Sequence, residues 1–400
     1  MGPGTIESIL GRENSIFDDD IANHNGMLSQ NITGKKILVI GGGGTIGSAF
    51  IRELINWSPD KMVVVDPSEN SLVEVVRDIR SGGGFQGTLR TLSIPLGSRE
   101  FEVWINQVEP FDYIANFSAL KHVRSERDPW TLMRMIRTNV INVANILDFI
   151  ADKWPACRFY SVSTDKAANP ANLMGATKNL MESVMVAACK NIHITSSRFA
   201  NVAFSDGSLP YGFLKRLEKK QPLSAPNDIR RYFLTPKEGG QLCLLSCFTG
   251  ESGDIFFPDL DRQSGEMTFD EIARALLKIQ GYSTAEFNSE EEARAFIPGT
   301  DGKWPCYFSH SNTTGEKDFE EFYTSQEEPF IHSGGFNKVK IIKKSPPDIL
   351  QLKNISDTVT ALSELLRTNS WNTENLVDII KKSVAGFNHI IKSKNLDEKM

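Results

Sequence analysis

The chain has 400 residues, of which 40% are hydrophobic and 24% are charged, and its 50 acidic and 44 basic residues give a formal net charge of −6. This balance is typical of a globular protein and gives no electrostatic reason to expect nucleic acid as a partner. No run of about 18 apolar residues is present, so we expect no membrane span. The cysteines are odd in number and scattered, which favours reduced thiols. The N-terminus lacks a basic segment followed by an apolar one, so we expect a cytoplasmic protein.

Short apolar runs alternate with helical patterns through the first half of the chain. The predicted strands are KKILVIGG (35–42), KMVVVD (61–66), YIANFSA (113–119), RFYSVST (158–164) and ITSSRFANV (194–202). Helical spacing covers residues 45–55, 71–80, 131–152 and 172–190. Strands that alternate with helices build right-handed units around a parallel sheet. We therefore predict an α/β fold, a Rossmann-like doubly wound parallel sheet with a smaller, mixed α/β substrate-binding lobe toward the C-terminus.

The pattern changes after about residue 203, where prolines interrupt shorter elements. Residues 235–250 and 267–281 keep helical spacing, and residues 282–350 give no assignable pattern. Apolar residues from Ile379 to Ile391 predict a C-terminal amphipathic helix packed against the body. We predict an N-terminal extension (1–34), a nucleotide-binding domain (35–202, to which 227–250 return), and a substrate-binding lobe with C-terminal helices (203–226 and 251–400).

A glycine-rich run, GGGGTIG (41–47), links the first predicted strand to the first predicted helix. Glycine lets the backbone turn and approach a pyrophosphate, and the N–H groups of the helix N-terminus face the phosphates. Asp66 ends the second strand, where a carboxylate can accept both ribose hydroxyls of NAD and would repel the 2′-phosphate of NADP. We therefore predict bound NAD. The residues expected to contact it are Gly41, Gly44, Thr45, Ile46, Gly47, Asp66, Pro67, Ser68, Leu96, Ser118, Ala119 and Lys178.

The stretch STDKAANPANLMGATK (163–178) runs from the end of a predicted strand into a helix. Its spacing resembles the catalytic segment of short-chain dehydrogenases, in which a strand ends in Ser or Thr and a YxxxK motif opens the next helix. Thr164 falls at the hydroxyl position and Lys178 at the lysine position, whereas Met174 occupies the tyrosine position. A thioether is neither an acid nor a base, so another group must accept the proton that the tyrosine usually takes.

Further motifs extend this resemblance. They are ILGREN (9–14), ALKHV (119–123), RFANV (198–202), RYFLT (231–235) and TGEK (314–317). Together with the 163–178 segment they resemble, over about residues 9 to 320, the bacterial polysaccharide-biosynthesis family of UDP-N-acetylglucosamine 4,6-dehydratases, in the extended short-chain dehydrogenase/reductase superfamily. The resemblance implies that hydride leaves C4 of the sugar for NAD, that water is lost across C5 and C6, and that the hydride returns to C6. Longer members of the family also carry methionine at the tyrosine position.

The resemblance assigns the proton transfers to Asp165 and Lys166. Asp165 is the candidate acid for the departing C6 hydroxyl and needs a raised pKa, whereas Lys166 is the candidate base at C5 and needs a lowered pKa. Thr164 is expected to hydrogen-bond the C4 oxygen, and Lys178 to hold the nicotinamide ribose. Because Met174 cannot accept the C4 hydroxyl proton, our hypothesis is that Asp165, or a water held by Thr164, accepts it.

The nucleotide-sugar substrate, which the resemblance identifies as UDP-N-acetylglucosamine, needs donors for its diphosphate. Arg231 is the first candidate, because a guanidinium matches phosphate with two parallel hydrogen bonds. Asn201 is a second candidate, Lys121 and His122 follow the fourth strand of the sheet, and Asn139 lies in the next helix. We predict that all five contact the substrate.

The chain departs from the family pattern at two further places. LSIPLG (92–97) lacks the aspartate that usually contacts adenine, so Leu96 is expected to hold the base by apolar contact. Residues 313–314 replace an Arg-Pro pair with two threonines, which removes one expected cation.

Two alternative functions stay open. A nucleotide-sugar 4-epimerase shares the fold and NAD but needs no acid at C6, so the Asp165–Lys166 pair favours a dehydratase. A catalytically silent dinucleotide-binding regulator would explain the missing tyrosine, but not the retention of Thr164 and Lys178. No His, Cys, Asp or Glu cluster has metal-ligand spacing, so we predict no metal, and we expect the chain to form a homo-oligomer.

Overall fold

The computed structural model describes residues 5–260, 265–311, 320–384 and 386–387. Its strands are β1 (Lys36–Ile40), β2 (Lys61–Val65), β3 (Thr88–Leu92), β4 (Tyr113–Asn116), β5 (Arg158–Thr164), β6 (His193–Phe199), β7 (Asn201–Val202), β8 (Leu223–Pro226), β9 (Arg230–Leu234), β10 (Asp254–Pro258), β11 (Glu266–Thr268), β12 (Ser283–Phe287), β13 (Lys303–Ser309), β14 (Ile331–His332) and β15 (Val339–Lys343). Its α-helices are α1 (Thr5–Ile9), α2 (Asp18–Asn23), α3 (Asn25–Ile32), α4 (Thr45–Leu54), α5 (Glu69–Ser81), α6 (Arg99–Ile105), α7 (Pro129–Ile136), α8 (Asn142–Lys153), α9 (Leu173–Ala188), α10 (Leu209–Glu218), α11 (Pro236–Thr249), α12 (Phe269–Ile279), α13 (Glu290–Ala295), α14 (Ile349–Thr368) and α15 (Thr373–Ser383).

A nine-stranded sheet organises the fold, with the strand order β14-β15-β10-β6-β5-β4-β1-β2-β3. The strands from β3 to β10 in this order pair in parallel, and β15 pairs antiparallel with both β10 and β14. Runs such as KILVI in β1 and KMVVV in β2 are almost wholly buried, because helices cover both faces of the sheet. The order 3-2-1-4-5-6 is that of a doubly wound dinucleotide-binding sheet, so the predicted fold class is confirmed.

The predicted site segments meet at one edge of this sheet. Strand order reverses between β1 and β4, and ligands of open α/β sheets bind beside such a switch, at the carboxyl ends of the strands. The glycine-rich run follows β1, Ser118 follows β4, and Asp165 follows β5. The parallel register places Thr164, the last residue of β5, opposite Phe199, the last residue of β6.

The predicted division of the second half needs a correction. We assigned residues 251–400 to the lobe and the C-terminal helices, but β10, β14 and β15 extend the nine-stranded sheet. Strand β10 (DIFFP) is fully buried and pairs in parallel with β6, a long-range contact that local sequence patterns do not reveal. The lobe contains two three-stranded sheets, β11-β9-β7 and β12-β13-β8. They pack with α10 and α12 around a separate apolar cluster.

A pair of C-terminal helices packs on the main domain. Helix α14, which we did not predict, and α15 contact α9, and Leu362 and Ile380 join the same apolar core as the α9 side chains. The predicted stripe is buried at Ile380, Val384 and Phe387, whereas its residues 390 and 391 lie outside the described residues. In the described part of the chain no helix has the length and apolar character needed to cross a bilayer.

Replacing Leu362 with alanine should test how much the packing of α14 on the core contributes to the free energy of unfolding. Leu362 is fully buried, so we expect the free energy of unfolding to fall by about 2–5 kcal/mol, measured by denaturant titration. Leu350 lies on the same helix with 76% of its surface exposed, and Leu350→Ala should change stability by less than about 0.5 kcal/mol. Equal losses in the two variants would contradict the packing of this helix.

Candidate active site

The glycine-rich loop needs its glycines for close backbone approach. Gly41 has φ = +76°, and a Cβ there would lie 2.7 Å from the Ser118 nitrogen. A Cβ on Gly47, in the first turn of α4, would overlap the Gly41 carbonyl oxygen. The loop therefore stays thin enough for a phosphate to approach the N-terminus of α4, which supplies unpaired N–H groups and the positive end of its dipole.

Asp66 lies beside this loop with its carboxylate fixed by the backbone. One oxygen accepts a hydrogen bond from the Gly43 nitrogen at 3.0 Å, and the other accepts from the Ser68 nitrogen at 2.8 Å. Each oxygen keeps a lone pair for a ribose hydroxyl. The thin loop and the oriented carboxylate together fit the phosphate and ribose groups of a dinucleotide.

The remaining predicted cofactor residues surround this position, but not all of them are free to turn toward a ligand. The Thr45 hydroxyl donates to an Asp206 carboxylate oxygen and accepts from the Asp206 nitrogen, both at 3.0 Å. Leu96 is buried, and its carbonyl accepts from the Asn142 side chain at 2.8 Å. The other positions are the N-cap and first turn of α4 (Gly44, Ile46), the β2–α5 connection (Pro67) and the residues after β4 (Ser118, Ala119).

Asn139 is a correction to the predicted substrate contacts. It lies in a single turn of π-helix, Arg137–Ile141, and is fully buried. Its amide oxygen accepts from the Leu120 nitrogen at 2.9 Å, and its amide nitrogen donates to the Leu120 carbonyl and to the Thr177 hydroxyl. Because these partners occupy both ends of the amide, Asn139 positions the loop after β4 and does not face a ligand.

Thr164, Asp165 and Lys166 form one connected group at the end of β5. The Thr164 hydroxyl donates to an Asp165 carboxylate oxygen at 2.7 Å. The Lys166 ammonium donates to both Asp165 oxygens, at 3.1 and 3.2 Å. Asp165 is buried, whereas 40% of the Lys166 side chain stays exposed, so Lys166 is the more accessible member of the pair.

The prediction that the pKa of Lys166 is lowered is wrong for this structure. Burial lowers the pKa of Lys166, but the carboxylates of Asp165 and Glu320 outweigh burial and leave this pKa raised. Lys166 is therefore a cation when Asp165 is ionised, and it can act as a base only after that charge is removed.

Lys178 and Met174 occupy successive turns of α9. The Lys178 ammonium donates to the Val162 carbonyl at 2.9 Å, and burial lowers its pKa to about 8, although Glu182 opposes the shift. The Met174 side chain is buried in the apolar core, and its backbone nitrogen donates to Glu126 at 2.8 Å. The tyrosine position therefore contributes packing and no proton-transfer group.

The predicted substrate residues fall into two groups. The first group is Arg231 in β9 and Asn201 in β7. The positive charge of Arg231 acts on Lys166 and opposes the rise of its pKa. Lys121 donates to the Ser205 hydroxyl at 3.3 Å, and the His122 ring contacts the turn at Gly207. Burial lowers the pKa of both Lys121 and His122; Asp206 opposes the shift at Lys121, and neighbouring cations add to it at His122.

Glu320 is a site residue that the sequence prediction missed. Its carboxylate accepts from the Tyr232 nitrogen at 3.2 Å and from the Asn201 side chain. Burial and the Asp165 charge raise its pKa to about 8, with Lys166 and Arg231 opposing. The sequence features noted nearby, the motif at 314–317 and the two threonines at 313–314, lie outside the described residues.

A buried arginine of β6 ties the Glu320 segment to helix α9. Arg198 in β6 has no exposed surface and pairs with Glu182 of α9 at 2.6 Å and with Glu327 at 2.8 Å. It also donates to the Phe322 carbonyl at 2.7 Å, and Ser163 donates to Glu182 at 2.6 Å. Within the described ranges, no group of three or more His, Cys, Asp or Glu side chains could hold a metal ion.

Comparison with known proteins places these features in a family. A family model described as "Polysaccharide biosynthesis protein" matches residues 37–328. The capsular polysaccharide biosynthesis protein CapD of Staphylococcus aureus is 28% identical over 71% of this chain and 46% of its own length. A UDP-N-acetylglucosamine 4,6-dehydratase (inverting) of Campylobacter jejuni is 26% identical over 72% and 82%, and a UDP-glucose 4-epimerase of Rickettsia bellii is 26% identical over 73% and 79%. The chain thus spans about half the length of the first of these relatives.

Solved structures share the fold at lower identity. Pen from Bacillus thuringiensis has a TM-score of 0.63 at 20% identity, covering 78% of this chain and 88% of its own. The Bordetella bronchiseptica enzyme WbmF, solved in complex with NAD+ and UDP, has a TM-score of 0.54 at 13% identity, covering 88% and 99%.

Replacing Arg198 with methionine should remove the guanidinium that two buried carboxylates share. We expect the free energy of unfolding at neutral pH to fall by about 3–5 kcal/mol, measured by denaturant titration. Burial favours a higher pKa for Glu327, but Arg198 and Lys344 lower it to about 2. In the unchanged protein this contribution is therefore complete above the ordinary carboxyl pKa and is lost as the pH falls toward about 2.

In Arg198→Met, most of the acid-dependent fall in the free energy of unfolding should disappear. The matched control is Arg367→Met, because Arg367 pairs with Glu364 on the surface with 72% of its side chain exposed. We expect that control to match the unchanged protein at every pH. An Arg198 variant as stable as the control would contradict the role given to this network.

Proposed function

Because the chain belongs to the polysaccharide biosynthesis protein family, we propose that it is an NAD-dependent nucleotide-sugar 4,6-dehydratase. The proposed reaction converts UDP-N-acetylglucosamine to a UDP-4-keto-6-deoxy-N-acetylhexosamine for surface polysaccharide or glycan synthesis. The observation that carries this proposal is the hydrogen-bonded Thr164–Asp165–Lys166 group, because a dehydratase needs an acid and a base that reach adjacent carbons of one sugar.

Gly41, Gly47 and Asp66 support NAD as the cofactor, because they provide a thin phosphate loop and a ribose acceptor. When bound, NAD would supply the hydride acceptor at C4 and the donor at C6. Lys178 would face the nicotinamide ribose, and the complex of WbmF with NAD+ and UDP supports the same pair of ligands on this fold. Arg231 and Asn201 would bind the substrate diphosphate, and Lys121 and His122, beside the 205–207 turn, would contact another part of the substrate.

The hydrogen bonds suggest how protons move without a tyrosine. The C4 hydroxyl would give its proton to Thr164 as the Thr164 proton passes to Asp165, 2.7 Å away. Asp165 would then be a neutral acid, and without its charge burial would favour release of the Lys166 ammonium proton to solvent. Lys166 could then take the C5 proton while Asp165 protonates the departing C6 oxygen, which leaves as water. A proton of the Lys166 ammonium would later return to C5, and the amine would regain its proton from solvent, so that one turnover gains and loses no net proton.

A 4-epimerase is the second candidate, because relatives with that name match the same part of the chain. An epimerase has no use for an acid at C6, so the Asp165–Lys166 pair favours dehydration.

Incubation with UDP-N-acetylglucosamine separates the candidates. We expect a product lighter than the substrate by one water in mass spectrometry, with solvent deuterium at C5 in NMR spectra. An unchanged mass with an altered sugar would identify an epimerase. Binding of NAD without turnover of any UDP-, dTDP- or GDP-hexose would identify a silent binding protein.

Replacing Asp165 with asparagine tests the proton path. The amide cannot accept the Thr164 proton, so reduced nicotinamide should form at least about a hundredfold more slowly in a single turnover, measured by its absorbance. Asp152→Asn is the control, since Asp152 is an exposed carboxylate paired with Lys153. A rate for Asp165→Asn equal to that of the control would clear Asp165 of this role.

A further inference from the structure

The turn between β7 and α10, residues 203–208, contacts both sides of the crevice at the switch in strand order. One side is the N-terminus of α4, which follows β1, and the other is the loop at residues 117–122, which follows β4. Dinucleotides bind across the crevice at such a switch. A turn that contacts both sides therefore lies across the mouth of the predicted NAD site.

The contact with α4 consists of two hydrogen bonds between Thr45, in the first turn of the helix, and Asp206 on the turn. The Thr45 hydroxyl donates to an Asp206 carboxylate oxygen and accepts from the Asp206 nitrogen, both at 3.0 Å. Asp206 is exposed, so water can replace either bond when the two residues separate. This contact can therefore open without unfolding the elements around it.

The other contacts of the turn are more firmly held. The Lys121 ammonium donates to the buried Ser205 hydroxyl at 3.3 Å, and a Cβ on Gly207 would lie 2.7 Å from a carbon of the His122 ring. Phe204 is buried in the apolar cluster of the lobe. Its φ of +55° is a conformation that persists only where surrounding contacts impose it. The turn is thus anchored in the lobe and beside the loop after β4, and its exposed contact is the one with α4.

We propose that residues 203–208 form a clasp over bound NAD, and that the cofactor enters and leaves only while the Thr45–Asp206 contact is open. The inference rests on the NAD-dependent reaction proposed above. That reaction returns the hydride to the sugar within each turnover, so it requires no exchange of the dinucleotide. A clasp that slows exchange suits this chemistry, whereas it would slow a dehydrogenase that releases its dinucleotide after every turnover.

A clasp of this kind has a kinetic signature, because loss of its contact speeds entry and release by the same factor. Thr45→Val removes both hydrogen bonds and keeps the branched shape of the side chain. If each bond favours the closed clasp by about threefold, NADH should bind and dissociate about tenfold faster, with a Kd within about twofold of the unchanged protein. Stopped-flow fluorescence of NADH measures binding, and a chase of bound NADH with excess NAD measures release.

Two variants of Asp206 separate the clasp from a simple effect of charge. Asp206→Ala removes the carboxylate and one hydrogen bond, whereas Asp206→Asn removes the charge but keeps an oxygen for the Thr45 hydroxyl. We expect NADH release to be about threefold faster in Asp206→Ala and close to unchanged in Asp206→Asn. Thr368→Val is the matched control, because the Thr368 hydroxyl donates within α14 to the Glu364 carbonyl at 2.7 Å. Its rates should equal those of the unchanged protein.

Each departure from this order has a definite meaning. Equal acceleration of release in Asp206→Ala and Asp206→Asn would assign the effect to charge and overturn the clasp. A raised Kd with an unchanged binding rate in Thr45→Val would show that its hydroxyl holds NAD directly, which would also overturn it. Release that is no faster in Thr45→Val than in Thr368→Val would have the same consequence, even if nucleotide sugar is dehydrated. If the predicted order holds but no nucleotide sugar is dehydrated, the clasp stands and the proposed reaction fails.

Discussion

The pairing of Arg198 with Glu182 and Glu327 is the interaction on which the site depends. A guanidinium with no exposed surface can stay charged only where carboxylates compensate it, and Arg198 has one on each side. Glu182 belongs to the helix that carries Lys178, and Ser163, which donates to Glu182, precedes Thr164. Glu327 follows the segment that carries Glu320 by only a few residues. One buried cation therefore fixes a helix, two strands and a returning segment relative to each other.

This arrangement explains how the site can do without a tyrosine at position 174. Met174 fills space in the core, and the groups that can carry protons lie instead on the strand-end loop and on the returning segment. Asp165 and Glu320 both raise the pKa of Lys166, so the lysine stays a cation while both carboxylates are ionised. In the proposed reaction, proton transfer to Asp165 during C4 oxidation would remove the first of these charges.

Local patterns in the sequence predicted much of the first half and little that depends on long-range contacts. The apolar runs of β1, β2, β4 and β5 and the glycine spacing at Gly41–Gly47 are short-range signals, and the structure has these elements where the patterns predict them. Nothing near Glu320 in sequence indicates Asp165 as a neighbour, and RFANV gave no sign that Arg198 would need two distant carboxylates. The π-turn that points Asn139 at Leu120 is likewise a tertiary feature.

The chain returns to the main sheet after the lobe, and the Glu320 segment contacts both the lobe sheet and the main sheet. Strands β14 and β15 follow the Glu320 segment directly, and Lys344, beside the end of β15, also binds Glu327. Asp165 and Lys166 are held at the end of β5 in the nine-stranded sheet, whereas Glu320 accepts from β9 and β7 of a small sheet, and Arg231 lies in β9, which pairs with β11. A shift of that small sheet would move Arg231 and Glu320 relative to Asp165 and Lys166. Because the charges of Arg231 and Glu320 both act on the pKa of Lys166, such a shift would change that pKa without displacing Asp165.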